Sequence, residues 1–202
     1  VIGADVSDGV SGGDFSCAQI ISVNRFKQVG CWHGLEEPYE FGRTLSMLGN
    51  YFNTALIAPE VNASGITTVT YLRTNDYPNI YHMRILDMAY PEETERIGWR
   101  TNLHTRRLLI DTLRRVIKEN SLMLMDPETL DELKTLVKNM ETGKIEASPG
   151  NNDDRTMALG IAVMAALEVR ESKILGPVGD VSYVDKFREQ EDTSVKLGRG
   201  GY

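Results

Sequence analysis

The chain has 202 residues, 41% of them hydrophobic and 25% charged, with a formal net charge of −7, which is the composition of an ordinary globular protein with one core. The longest apolar runs, "SLMLM" and "TALIAP", fall far short of the ~20 residues a membrane-spanning helix needs, and no signal-peptide pattern opens the chain, so a cytoplasmic protein is expected. The acidic balance argues at first against a nucleic-acid partner, and the lack of a G-x-x-x-x-G-K-[ST] loop places any nucleotide-driven motor outside this sequence.

The chain opens at Val1, directly in a strand-like run and without a methionine, as expected of a domain excised from something longer. "VIGADVS" is apolar and β-prone, with Asp5 in its middle. The turn-rich "DGVSGG" separates it from "DFSCAQIISVN", and "KQVGCWHG" reads as a third strand. Three such runs predict an antiparallel meander. Phe41, Leu45, Leu48 and Phe52 then fall at helical spacing behind Pro38, a residue tolerated in a first helical turn. "TALIAPE" is a continuous apolar run, as expected of a central parallel strand buried on both faces. "NASGITTVTYLRTND" is ambiguous: its β-branched residues favour strand, while its place after a parallel strand favours a crossover helix. "NIYHMRIL" reads as a strand or hairpin arm and "AYPEETERIGW" as an exposed loop.

"TNLHTRRLLIDTLRRVIKEN" puts Leu109, Leu113, Val116 and Ile117 on one helical face and arginines on the other. Between Arg96 and Lys118 the basic residues Arg96, Arg100, Arg106, Arg107, Arg114, Arg115 and Lys118 face the single acid Asp111, a local basic surface on an acidic protein. "SLMLM" reads as a short strand. "DPETLDELKTLVKNM" reads as a helix with Asp126 as cap, Pro127 at the first position, and Leu130, Leu133, Val137 and Met140 inward. In the final helix Ala158, Ile161, Ala162, Ala165 and Ala166 form a face of small residues that lets the backbone approach a sheet closely. Periodicity fades from Lys173 onward, which predicts a domain over 1–172 and a flexible tail over 173–202. Helices and strands alternating after a meander define an α/β domain with a mixed sheet.

Cys17 and Cys31 lie in segments that could be neighbouring strands. A disulfide is conceivable, and buried thiols in a reducing compartment are the preferred reading. His33, His82 and His104 have no zinc-ligand spacing and read as structural or surface residues.

The carboxylates carry the chemistry. Asp5 sits inside an apolar strand, where an ionised carboxylate has to find a cation or hydrogen-bond partner or shift its pKa. Glu60 stands just past the end of a buried parallel strand, the edge at which open α/β sheets hold ligands. Asp153 and Asp154 open the last helix, where Asn152 or Asp153 can cap it and a second acid complements the helix dipole. Asp14 can serve simply as turn punctuation. Brought to one sheet edge, these acids would repel one another unless divalent cations lay among them, a constellation suited to two-metal phosphodiester hydrolysis.

"VIGADVSDGVSGGDFS", "LIAPEVNASG", "IGWRTNLHTRRLLIDTLRRVI", "LMLMDPETLDELKTLV" and "EASPGNNDDRTMALGIAVMA", in that order from Val1 to about Val169, together resemble the C-terminal nuclease domain of the large terminase subunit of tailed bacteriophages. The resemblance implies an RNase H-like fold, a central mixed sheet flanked by helices. It implies two divalent metal ions, Mg2+ or Mn2+, and endonuclease cutting of concatemeric double-stranded DNA during genome packaging in the cytoplasm of an infected bacterium. The implied partners are an N-terminal ATPase domain, the portal protein and the small terminase subunit.

By motif matching, Asp5 is the first-strand metal ligand, Glu60 the second acid, and Asp153 with Asp154 the third acidic position, the resemblance leaving open which of the two ligates; Asp14 assists at the metals. It also turns "NASGITTVTYLRT" into a helix. Arg100, Arg106, Arg107, Arg114 and Lys118 become candidates for holding the duplex backbone, through phosphate contacts that position without reading sequence. Trp99 reads as a partly buried aromatic, in preference to one that stacks on or contacts DNA. Two departures stand out: the connection from Asp5 to Asp14 is long, and Asn152 stands where many relatives carry histidine. The competing readings are another RNase H-like nuclease such as a junction resolvase or transposase core, an actin-like or sugar-kinase fold that lacks its second phosphate loop here, and a non-catalytic module that grips DNA or docks on the portal.

Overall fold

The computed structural model describes residues 1–10, 12–86, 93–139, 143 and 145–175. The meander forms as the sequence predicts: β1 (Ile2–Asp5), β2 (Ser16–Ser22) and β3 (Lys27–Gly34) are antiparallel neighbours. β4 (Ile57–Pro59) lies parallel to β1 on its other side, giving the order β3-β2-β1-β4. Two further ribbons form, β5 (His82–Leu86) with β6 (Glu93–Ile97), whose flanking residues bond to β4, and β7 (Leu136–Lys138) with β8 (Ile145–Ala147). The helices are α1 (Pro38–Tyr51), α2 (Gly65–Thr74), α3 (Leu103–Lys118), α4 (Pro127–Lys134) and α5 (Asp154–Leu175).

Side chains of a strand alternate between faces, and β1 uses this to separate two layers. Ile2 and Ala4 join Ala18, Ile20, Phe41, Leu45, Ile57 and Leu72, so one face is covered by α1 and α2. Gly3 faces the other way, onto α5. A Cβ there would lie 2.2 Å from the Ala162 nitrogen and 2.4 Å from the Ala158 carbonyl oxygen. The small face of α5 therefore rests on the sheet backbone itself. Behind it, Leu113 and Val116 of α3 pack with Leu159, Val163 and Ala166. The result is a three-layer α/β/α arrangement with a mixed sheet.

Several elements differ from the sequence reading. β4 is buried along its whole length, yet it is only three residues long and last among the four strands. Its outer side is closed by single bridges, Ile57 to Ile80 and Glu60 to Trp99, so local chain geometry supplies what a fifth strand would. The ambiguous threonine-rich segment is α2. Thr70 and Thr74 return their hydroxyls to the carbonyls four residues back, each at 2.8 Å, which satisfies them within a helix they intrinsically disfavour. Glu93–Ile97, read as loop, is a strand paired with β5, its charged alternation giving no apolar signal; residues 87–92 of that loop lie outside the described residues.

"SLMLM" is no strand: Met123 makes one bridge to Lys27, and Met123 and Met125 are exposed. α4 keeps its Asp126 cap and first-turn Pro127 but stops at Lys134, and Val137 is an exposed residue of β7, while Met140 lies outside the described residues. Leu130 and Ile117, both expected inward, are partly exposed across a groove between α3 and α4. The helix α5 runs past Lys173 to Leu175, and 176–202, most of the expected tail, lie outside the described residues. Cys17 and Cys31 are free thiols, Trp99 is fully buried, and no described helix is long and apolar enough to cross a membrane.

Candidate metal centre

Three elements end together at one corner of the sheet. Two residues along a strand advance about 6.6–6.8 Å, somewhat more than one helical turn of about 5.4 Å. With Gly3 seated against Ala158 and Ala162, Asp5 is carried to the N-terminus of α5, where Asp153 and Asp154 stand. On the other side, the parallel register Ala4 to Pro59 and the bond from Glu60 N–H to the Ala4 carbonyl (2.8 Å) set Glu60 beside Asp5. Gly65 holds that loop close: a Cβ on it would fall 1.9 Å from the Glu60 carbonyl oxygen, so no larger residue fits between the end of β4 and the start of α2.

Asp5, Glu60, Asp153, Asp154 and Asp14 line one cavity of about 240 Å³, together with Arg106 and Asn62. Asp14, which the sequence could read as a turn residue, is on the cavity wall. Glu60 is buried and accepts a bond from Asn62 Nδ2 at 2.8 Å. The carboxyl of Asp5 is held well above the ordinary carboxylate range, first by burial, then by its hydrogen bond to Glu60 and the charges of Glu60, Asp154 and Asp153. Asp154 is also raised, chiefly by burial and with Asp14 adding to it, against the opposing hydrogen bond from His33.

The doubled aspartate is not spent on capping. The Thr156 N–H at the start of α5 donates instead to Glu132 Oε1 of α4, at 2.7 Å, and the remaining first-turn acidity complements the helix dipole. Glu132→Ala is expected to lower stability by about 1 kcal/mol, the usual worth of a capping acceptor, read as a shift of the urea midpoint that Glu132→Gln largely restores. With the cap supplied from α4, Asp153 and Asp154 are available to the cavity. Asp154 accepts from Asn152 Nδ2 at 3.3 Å and lies 3.5 Å from His33 Nε2.

His33 is a neighbour the sequence reading passed over. The signal was there in the meander: Asp5 pairs with Cys17 and Cys17 with His33, so the three occupy one row across the sheet. Burial, and then Arg155, push the His33 imidazole below its ordinary range against the pull of Asp154. The five basic candidates divide. Arg100 and Lys118 are exposed, and Arg107 and Arg114, 69% and 59% exposed, flank Asp111 on the outer face of α3. Arg106 turns inward and pairs with Asp153.

Five carboxylates around one small cavity are oxygen donors of the kind that hard divalent cations take, and Asp5 and Asp154, raised first by burial and then by neighbouring carboxylates, are groups whose ionised form such a cation would favour. The donor chemistry fits. Among the described residues, however, no three His, Cys, Asp or Glu side chains converge at ligand geometry; Glu60, Asp154 and Asp153 instead meet Asn62, Asn152 with His33, and Arg106.

This architecture is an RNase H-like fold, and it is the fold of large terminase nuclease domains. The large terminase nuclease from thermophilic phage G20c with bound magnesium superposes with a TM-score of 0.62 at 16% identity, over 80% of this chain and 78% of that one. The Thermus phage P74-26 large terminase nuclease domain gives 0.61 at 16% identity, over 81% and 77%. The G20c nuclease with bound cobalt gives 0.61 at 16%, over 80% and 78%. No protein-family model and no curated protein sequence matches the chain.

Proposed function

We propose that this chain is the nuclease domain of a large terminase subunit, a metal-dependent endonuclease that cuts concatemeric double-stranded phage DNA during genome packaging. The observation that carries the proposal is the convergence of Asp5, Glu60, Asp153, Asp154 and Asp14 on one cavity, at the corner of an RNase H-like sheet. The fold shared with terminase nucleases solved with magnesium and cobalt supports it. The domain acts with an N-terminal ATPase domain, the portal protein and the small terminase subunit, in the cytoplasm of the infected host.

In this reading Asp5, Glu60 and the Asp153–Asp154 pair hold two divalent cations, Mg2+ or Mn2+, with Asp14 assisting. Such cations supply an activated water and offset charge on the leaving oxygen. The chain's own residues do the positioning. β1 and β4 present Asp5 and Glu60 from rigid backbone, and the α5 N-terminus adds a positive dipole end beside the acids, where phosphate charge is favoured. Arg100, Arg107, Arg114 and Lys118 track the duplex backbone without reading bases.

The test is cleavage of supercoiled plasmid with Mn2+, with Mg2+ and with EDTA. Nicking and linearisation in the metal lanes alone, with scattered cut sites, is the expected result; equal cutting in EDTA would refute the metal-dependent reading. Binding of the duplex should fall steeply with salt. Four phosphate contacts give a slope of about −3.6 in log affinity against log salt, or roughly a hundredfold between 50 and 200 mM. A flat salt dependence would remove the basic helix from the DNA interface.

A further inference from the structure

Arg106 is the one candidate of the basic helix that the fold takes away from solvent. Its side chain is 13% exposed. All three guanidinium nitrogens are engaged: Nε donates to the Ile145 carbonyl at 2.9 Å, Nη1 contacts Met157 Sδ at 3.2 Å, and Nη2 pairs with Asp153 Oδ2. The first turn of α3 is fixed by a reciprocal cap, in which Asn102 Oδ1 accepts from the His104 and Thr105 amides and Thr105 Oγ1 accepts from the Asn102 amide. The guanidinium is therefore delivered from a rigid position into the cavity that Asp5, Glu60 and Asp154 share.

A fixed monovalent cation among carboxylates does two things. It offsets part of their repulsion, and it occupies the carboxylate it pairs with. Asp153 meets the fixed guanidinium of Arg106, whereas Asp154 meets the Phe15 backbone N–H, Asn152 and His33, and no arginine or lysine pairs with it among the described residues. Building on the metal-centre reading above, we propose that Arg106 is a positioning residue that withholds Asp153 from the metal. Asp5, Glu60 and Asp154 are then the ligands of the first divalent ion, and a second ion binds only by displacing the guanidinium from Asp153. An opposite charge in contact changes a carboxylate's proton affinity by about one to three powers of ten. A second metal ion competing for the same oxygen meets a barrier of that order.

The experiment measures Mn2+ binding to the 202-residue chain, without DNA, by the loss of the free Mn2+ signal in electron paramagnetic resonance. The unsubstituted chain should take one ion tightly and a second weakly. Arg106→Gln should tighten the second ion at least about tenfold and leave the first unchanged, while Arg106→Lys keeps the weak second step. Asp154→Asn should lose the first ion, and Asp153→Asn should keep it. An Arg106→Gln chain with an unchanged second step overturns the proposal. So does first-ion loss in Asp153→Asn with retention in Asp154→Asn, and this pair decides the matter if circular dichroism shows that Arg106→Gln fails to fold. No Mn2+ binding by the unsubstituted chain is a different failure: it removes the metal centre itself, and this inference with it.

Discussion

Asp5→Asn should abolish metal-dependent cleavage while making the metal-free domain more stable. Loss of a hydrogen-bond partner behind a metal ligand already lowers metal affinity or activity by about 10–100-fold, so loss of the ligand oxygen proposed for Asp5 should lower cleavage by more than about 100-fold. The stability effect has the opposite sign. The Asp5 carboxyl is raised in the folded state by burial first and by Glu60, Asp154 and Asp153 after it. Between the ordinary carboxylate range and that raised value the folded chain binds more protons than the unfolded chain. Stability of the metal-free protein therefore falls as pH rises through this window.

Asn carries no charge to bury, so the variant should melt higher than the parent at neutral pH and lose the acid-side part of the pH dependence. Thermal unfolding in EDTA from pH 4 to 8 reads this directly. A variant that cuts at the parental rate would end the assignment of Asp5 to the reaction. One that loses cleavage and also melts lower would show Asp5 to be a structural carboxylate.

Gly3→Ala should have the largest effect on stability of any single methyl addition at the sheet. The new Cβ would sit 2.2 Å from the Ala162 nitrogen and 2.4 Å from the Ala158 oxygen. Both are backbone atoms of a helix buried across the sheet, so no rotamer change relieves the clash and no side-chain substitution in α5 makes room. Overpacking in cores costs about 1–3 kcal/mol where side chains can yield; here the upper end or beyond is expected, a large part of the roughly 5–15 kcal/mol that holds a domain together. The measurement is a urea unfolding curve, with folded yield as a second readout. A midpoint within about 0.5 kcal/mol of the parent, the range of ordinary surface changes, would mean that the backbone of α5 moves away from β1 at little cost and is not held there by close packing.

The two experiments bear on one construction. Gly3 and Asp5 lie on the same face of the same strand, two residues apart, and the contact that makes the first intolerant of a methyl group brings the second to the head of α5. Displacing α5 should therefore also separate Asp5 from Asp154. Part of this was readable beforehand: an acid within an apolar strand, an acid after a buried strand, and a pair of acids before a helix of alanines are local patterns with local reasons. Their meeting at one cavity was an expectation of convergence, and it depended on pairings among segments more than fifty residues apart.

The roles within the site were the less legible part. On a helical wheel Arg106 belongs with Arg107 as a solvent-facing cation, yet the two are oppositely placed because Asp153 and the Ile145 carbonyl stand beside one and solvent beside the other. Glu132 reads as one more charge on a short helix, and its use as the cap of α5 depends on α4 lying against that helix. His33 could have been found by counting register across the meander. The α4 to β7 change at Lys134 escaped the periodicity because Val137 kept the helical spacing of Leu130 and Leu133 while turning to solvent.

The sequence by itself determined the meander, the amphipathic α3, the capped start of α4, the small face of α5 and the identity of the acids. Each of these follows from short-range sterics, capping and apolar periodicity, which act over a few residues whatever the rest of the chain does. Only the tertiary structure decided that β4 is completed by bridges, that the threonines of "GITTVTYLRT" are helical, and which charged groups neutralise one another. Those outcomes depend on what packs against each segment, because the free energy of a buried charge or a β-branched helix is set by its neighbours in space.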